Sequence, residues 1–334
     1  MNIDNLKKQL VSEAFSNTEL ELIILPTEQC NFRCTYCYED FTMGRMNNNT
    51  IKSLKKLIKT RVNGLQVLKL NWFGGEPLLA TSVISDLMEY SGQMCREAGV
   101  KLYSEMTTNG YLLSYPLASR LIELGVTNYQ ISIDGNEKYH NLTRVSKKGH
   151  GTFARIWDNL LKLKASPLDF RVTIRLHLTP QNILEIPNII NKINSELLSD
   201  HRFSIFIKEI GDYGGFNSGN IKTLKSDTAA VIKNAIYDSL KKNNTSSKPY
   251  VCYAGKANSF IIRSNGDISK CTVALSSQSN IVGKLNNNGT LTIRKDKITP
   301  WLSGFFDFNL KTLSCPANRV LYLHSMKTIP IINI

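Results

Sequence analysis

Cys30, Cys34 and Cys37 fall within eight residues, directly after an apolar run over residues 20–25 that ends at Pro26. No other feature constrains the chain as tightly. Thiolates are soft, strong ligands for iron–sulfur clusters, and cysteines at this spacing on one tight loop can reach three corners of a single cubane. The fourth iron then has no protein ligand and can bind a small molecule that brings its own donor atoms. A structural zinc knot is the competing reading, but such sites usually show two separated Cys or Cys/His pairs, and no histidine lies nearby.

A chain of 334 residues with ample apolar content suggests one large domain and a smaller one. Charges are mixed through the first 21 residues with no signal-peptide pattern, and no apolar run approaches bilayer length. Seven cysteines, three of them clustered, fit metal binding in a reducing compartment better than a disulfide framework. A cytoplasmic protein without membrane contact is expected. Lys and Arg number 41 against 27 Asp and Glu, a formal charge of +14 that favours an acidic partner or substrate. Nucleic acid is the weaker candidate for that partner, because no basic run alternates with aromatics.

Hydrophobic periodicity predicts strands over residues 20–25, 67–73, 101–106, 128–133, 171–178 and 203–210. Helices alternate with them. The first has an N-cap among Asn48 to Thr50, the second carries Cys95 as a small buried hydrophobe, and a later one over 183–198 is interrupted at Pro187. The last of the series runs from about 227 to 242. Six strand–helix pairs in strict order argue for parallel βα units, in an open sheet or a partial barrel, with ligands at the C-terminal strand ends. Residues 243–249 are polar and turn-rich and mark a boundary. The expected division is an N-terminal segment 1–19, a core 20–242 and a C-terminal domain 243–334. In the last, residues 259–263 and 267–270 read as a hairpin with a type I′ turn at Asn265-Gly266, which can bring Cys252 and Cys271 near each other.

With Tyr36 before its last cysteine, the CxxxCxxC loop resembles that of the radical S-adenosylmethionine (SAM) superfamily, and the resemblance covers roughly residues 23–210. It implies an α/β fold, a partial (β/α)6 TIM-like barrel with a small C-terminal α+β, twitch-like domain. It also implies a [4Fe–4S] cluster on Cys30, Cys34 and Cys37 whose open iron chelates the amino and carboxylate groups of SAM. Gly74-Gly75-Glu76-Pro77 matches the family's GGEP motif, expected to hold the SAM amino group through backbone carbonyls and Glu76. Ser132 lies in a segment resembling a SAM-contacting strand, and Arg144 matches the arginine that pairs with the SAM carboxylate. Tyr36 would lie beside the adenine, and Thr107-Thr108-Asn109 resembles a third-strand element in which Asn109 contacts the cofactor. Asn141 replaces a usual Asp.

The C-terminal part resembles the auxiliary-cluster module called SPASM, or its shorter form, twitch. Cys252, thirteen residues, Gly266, four residues and Cys271 are followed by Asn280-Ile281-Val282-Gly283-Lys284-Leu285. Only Cys315 stands where several more cysteines are expected, so a complete module with two auxiliary clusters is excluded. Two alternatives stay open: one auxiliary iron–sulfur cluster on Cys252, Cys271 and Cys315, or a decayed site whose fold persists.

The implied activity is reductive cleavage of SAM to a 5′-deoxyadenosyl radical that abstracts hydrogen from a peptide or protein, with electrons from an external flavodoxin- or ferredoxin-like donor. Maturation of a ribosomally made peptide by thioether or other side-chain crosslinking is the preferred expectation. Related anaerobic sulfatase-maturating enzymes usually carry an Asp directly after the second auxiliary cysteine, where this chain has Thr272. Sulfatase-maturase-like oxidation is therefore the alternative, and a non-catalytic iron–sulfur sensor or binding protein is the rival from another class. No catalytic side chain is assigned. Too few residues precede Leu20 for a fused leader-binding domain, so a separate protein or the core itself would recognise a leader.

Overall fold

The computed structural model describes residues 3–215, 217–240 and 249–326. Its strands are β1 (Glu19–Ile24), β2 (Phe32–Cys34), β3 (Val67–Trp72), β4 (Lys101–Thr108), β5 (Asn128–Ile133), β6 (Arg144–Ser146), β7 (Arg171–Leu178), β8 (Phe203–Glu209), β9 (Ser259–Ile262), β10 (Asp267–Ser269), β11 (Ile281–Leu285) and β12 (Leu291–Ile293). The helices are α1 (Ile3–Phe15), α2 (Asn48–Val62), α3 (Thr81–Ala98), α4 (Tyr115–Glu123), α5 (Glu137–Thr143), α6 (Phe153–Lys164), α7 (Ile186–Glu196), α8 (Ser226–Ser239), α9 (Lys295–Leu302), α10 (Leu310–Ser314) and α11 (Pro316–Met326).

Strands β1, β3, β4, β5, β7 and β8 pair in parallel in that order, as the alternation predicts, and make the partial (β/α)6 barrel that the resemblance implies. Period-2 burial separates the two faces of the sheet. Leu68, Leu70 and Trp72 of β3, for example, enter the core cluster that also holds Leu54 and Ile58 of α2 and Leu87 and Met88 of α3. The opposite face is polar, with Asn71 of β3 donating to Glu21 of β1 at 2.9 Å. Cys95 is buried on α3 as expected.

Three local expectations are corrected. The α2 cap is Asn47, one residue earlier, whose Oδ1 accepts from the Thr50 amide at 2.9 Å. Pro187 sits in the first turn of α7, where its missing N–H would have no helical partner anyway, so it opens the helix instead of interrupting it. In the β9–β10 hairpin only Gly266 has positive φ (+85°), and the Gly266 amide donates to Arg263 O at 2.9 Å. That is a type I turn with a glycine bulge, since type I′ needs two residues at positive φ.

The C-terminal strands continue the barrel sheet. Strand β9 runs parallel to β1, from Glu21 opposite Ser259 to Ile24 opposite Ile262, and β10, β11 and β12 add to it antiparallel. Most of the polar segment expected as a boundary, residues 243–248, lies outside the described residues. Helix α1 docks on this side too, with Ala257 N donating to Ala14 O at 2.8 Å and Phe15 edge-on to Phe305. Among the described residues no helix is long and apolar enough to cross a membrane.

Candidate functional site

Cys30, Cys34 and Cys37 line one cavity at the C-terminal ends of the parallel strands, where a parallel sheet places its ligands. The short β2–β6 ribbon, unforeseen from sequence, sets Cys34 directly opposite Arg144. Cys37 N closes the loop on Cys34 O at 3.1 Å, and Asn109 at the end of β4 donates to Asn31 Oδ1 at 2.8 Å. Burial pushes all three thiols up, Cys37 to about 12, so a bound cation is needed to hold them as thiolates. Among the described residues no three or more His, Cys, Asp or Glu side chains are grouped to hold one metal ion. The three sulfurs share one cavity wall, as ligands of a multi-iron cluster would. Arg144 and Arg175, in the same cavity, each bury an Nε without a partner, as a site awaiting an anionic ligand would. The residues present thus fit the cluster and the SAM carboxylate that the resemblance implies.

Gly74 and Gly75 also line the cavity, but what they accommodate is protein. A Cβ on Gly74 would stand 2.2 Å from Thr27 O, and one on Gly75 would stand 2.5 Å from Gln29 O, so both glycines let the cysteine loop cross β3's end. Glu76 is fully buried. Its Oε1 accepts from Leu78 N at 3.0 Å and Thr108 Oγ1 at 2.7 Å, its Oε2 accepts from Asn109 N at 2.7 Å, and its own amide donates to Gln29 O at 2.9 Å. Pro77 begins the following single turn. Glu76 and Pro77 are absent from the cavity wall, whereas Tyr36, Asn109, Ser132 and Arg144 are on it. Gly74 has φ +117°, so Gly74→Ala combines a backbone clash with a disfavoured conformation. We expect it to destabilise the protein by at least about 2 kcal/mol in urea unfolding and to lower iron content after reconstitution; wild-type values for both would refute this reading.

Sequence reading missed a polar network on the cavity floor. Arg144 Nη1 donates to Tyr36 Oη at 2.8 Å, and Tyr36 donates to Asp134 Oδ2 at 2.7 Å. Asp134 also accepts from Thr143 Oγ1 at 2.7 Å and from His177 Nδ1 at 2.9 Å. Burial alone would raise the Asp134 carboxyl, but the His177 hydrogen bond and the Arg144 charge outweigh it and hold it well below its usual range. Burial lowers His177, against the pull of Asp134, which leaves a neutral ring whose Nδ1–H donates to the Asp134 carboxylate. Tyr36 is therefore bound edge-on to His177 and by its hydroxyl to Asp134 and Arg144. The signal in sequence was Asp134 beside Gly135; nothing local marked His177.

Cys252, Cys271 and Cys315 form a separate locus away from the cavity wall. Cys252 N donates to Leu313 O at 2.9 Å, which draws the first and last together, and Asn280 brackets Cys271 with two hydrogen bonds at 2.8 Å. Each thiol lies within electrostatic reach of the other two. Thr272 and Val273, just beyond Cys271, reach the main cavity, and Thr272 Oγ1 lies 2.6 Å from Tyr253 Oη.

The radical SAM superfamily model matches residues 24–193. The GTP 3′,8-cyclase of Chlorobaculum tepidum is 29% identical over 215 residues, covering 63% of this chain and 59% of that enzyme. The serine-type anaerobic sulfatase-maturating enzyme of Klebsiella aerogenes is 25% identical over 190 residues, covering 53% and 45%. The chain thus spans about half the length of the curated relatives it matches. Among solved structures, anSMEcpe with bound AdoMet and the Cp18Cys peptide superposes with TM-score 0.65 at 20% identity over 86% of this chain and 82% of that one. Streptococcus suis SuiB bound to its precursor peptide SuiA gives 0.58 at 17%, over 92% and 68%.

Proposed function

The chain belongs to the radical SAM superfamily, and on that premise we propose that it is an enzyme that takes hydrogen from a peptide, maturing a ribosomally made precursor by a thioether or other side-chain crosslink. The observation that carries this reading is the single cavity in which Cys30, Cys34, Cys37 and Arg144 meet Thr272 and Val273 of the C-terminal extension. A cofactor end and a substrate end are thereby present in one space. Two solved relatives of similar fold were captured with peptides, which supports a peptide here.

When bound, the [4Fe–4S] cluster and SAM supply a 5′-deoxyadenosyl radical that abstracts hydrogen from the substrate. Cys30, Cys34 and Cys37 would hold the cluster. Arg144 would take the SAM carboxylate, since its position is fixed by the β2–β6 ribbon and by Tyr36 while its Nε is unused. Ser132 and Asn109 would add polar contacts, and Glu76 would act as a positioning residue that ties the ends of β3 and β4 to the cysteine loop. Thr272 offers a hydroxyl tied to Tyr253 and no carboxylate, which favours crosslinking over maturase-like protein oxidation. Cys252, Cys271 and Cys315 would hold one auxiliary cluster.

Reconstituted, reduced protein should form 5′-deoxyadenosine from SAM, and a binding module would not. Arg144→Ala should weaken SAM binding by about tenfold or more, with iron content retained. Unchanged SAM affinity in that variant would show that Arg144 does not hold the cofactor.

A further inference from the structure

Arg175 projects into the cavity from β7, beside its register partner Ser132 on β5. Its guanidinium makes no hydrogen bond or ion pair with any described residue, and its Nε is buried. The acidic groups around the cavity are engaged elsewhere. Asp134 serves Tyr36, Thr143 and His177; Glu209 is paired with Lys208 and Lys233; Glu28 is paired with Arg263; Glu76 accepts from Leu78 N, Thr108 Oγ1 and Asn109 N. Glu39 also lines the cavity, but no ion pair or hydrogen bond joins its carboxyl to Arg175. A guanidinium held in a cavity with no hydrogen bond or ion pair of its own is unfavourable unless a ligand supplies an acceptor.

The surroundings of Arg175 are hydrogen-bond donors. Tyr38 and Tyr213 pack edge to face with centroids 6.1 Å apart, and the charge of Arg175 reaches both phenols. The loop bearing Tyr213 is seated firmly: a Cβ on Gly215 would stand 2.6 Å from Tyr38 Cα and 2.8 Å from Cys37 O. The cavity therefore holds two cations, Arg144 and Arg175, whereas SAM has one carboxylate to offer. We propose that Arg175, with Tyr38 and Tyr213, forms a substrate subsite that binds a carboxylate of the peptide, supplied by an Asp or Glu side chain or by the chain terminus. One planar guanidinium fork flanked by phenols matches a two-oxygen planar anion; phosphate sites more often gather glycine-rich backbone amides at a helix N-terminus. The subsite deepens the peptide reading above and rests on it.

The test uses reconstituted full-length protein with SAM and three short acetylated peptides. One has a central Asp and an amidated end, the second replaces Asp by Asn, and the third has Asn and a free terminal carboxylate. Titration calorimetry should show the Asp peptide or the free-carboxylate peptide binding at least about tenfold more tightly than the amidated Asn peptide. Whichever carboxylate peptide is preferred identifies the source. Arg175→Gln should remove the preference and Arg175→Lys should keep part of it, while both retain iron content and SAM affinity. Equal binding of all three peptides by the wild type would overturn the subsite. So would a preference that survives in Arg175→Gln, a loss of SAM affinity in that variant matching Arg144→Ala, or tighter Arg175-dependent binding of GTP than of any peptide. Formation of 5′-deoxyadenosine by the wild type without peptide tests the enzyme reading separately, so failure of one is distinguishable from failure of the other.

Discussion

Replacing Cys30, Cys34 and Cys37 together by alanine is expected to reduce 5′-deoxyadenosine formation to background, a fall of at least about a millionfold if the wild type lies even at the lower end of enzymatic rate enhancement. The three sulfurs line one cavity wall, and no other cysteine among the described residues lines it. Residual activity in the triple variant would sink the radical SAM mechanism for this chain. The same protein reports on Cys252, Cys271 and Cys315. About four irons per chain remaining, counted with Mössbauer spectroscopy, would support an auxiliary [4Fe–4S] cluster, and none would leave the C-terminal strands a purely structural and substrate-facing role.

Arg263→Ala is expected to destabilise the protein by about 3–5 kcal/mol, because it strands Glu28 as a buried, unpaired carboxylate. Arg263 Nη2 lies 2.5 Å and Nε 3.2 Å from the two Glu28 oxygens, and Nη1 donates to Leu275 O at 2.8 Å. Both residues are at most 5% exposed, so solvent cannot replace the lost partner. Glu28 stands two residues before Cys30, which makes the pair a clasp between the C-terminal hairpin and the cysteine loop. Exchanging both residues for methionine should recover most of the loss, because removing the pair also removes its desolvation penalty. Urea unfolding of the two single variants and the double variant measures this. A single Arg263→Ala cost below about 1 kcal/mol would mean that the pair is solvated and the clasp unimportant.

The alternation of six strands with helices was legible because each element carries its own burial period within a few residues. The bounds of β5 and β7 agree with the periodicity reading residue for residue. Local chemistry misled in three small places. Pro187 fits the first turn of a helix as well as a break in one, and Asn265-Gly266 permits two turn types; Asn47 caps α2 because its extended backbone sets its Oδ1 on the Thr50 amide.

Cys30, Cys34, Cys37 and the glycines of the next strand end were visible because spacing on one loop is a property of sequence alone. What the glycines serve was not, since the Thr27 and Gln29 carbonyls that fill their missing Cβ space approach only when β1 and β3 lie side by side. Arg175-Leu176-His177 reads in isolation as an amphipathic strand with a solvated polar face. Curvature of six parallel strands turns that face inward and brings His177 to Tyr36 across 141 residues of sequence. The sequence by itself determined the ligand loop and the order of the βα units, both set by short-range spacing. Tertiary structure alone decided that Arg144 and Arg175 share a cavity, because β6 and β7, which carry them, are brought to one wall only by folding, where Arg144 reaches Tyr36 and Arg175 has no hydrogen-bond partner among the described residues.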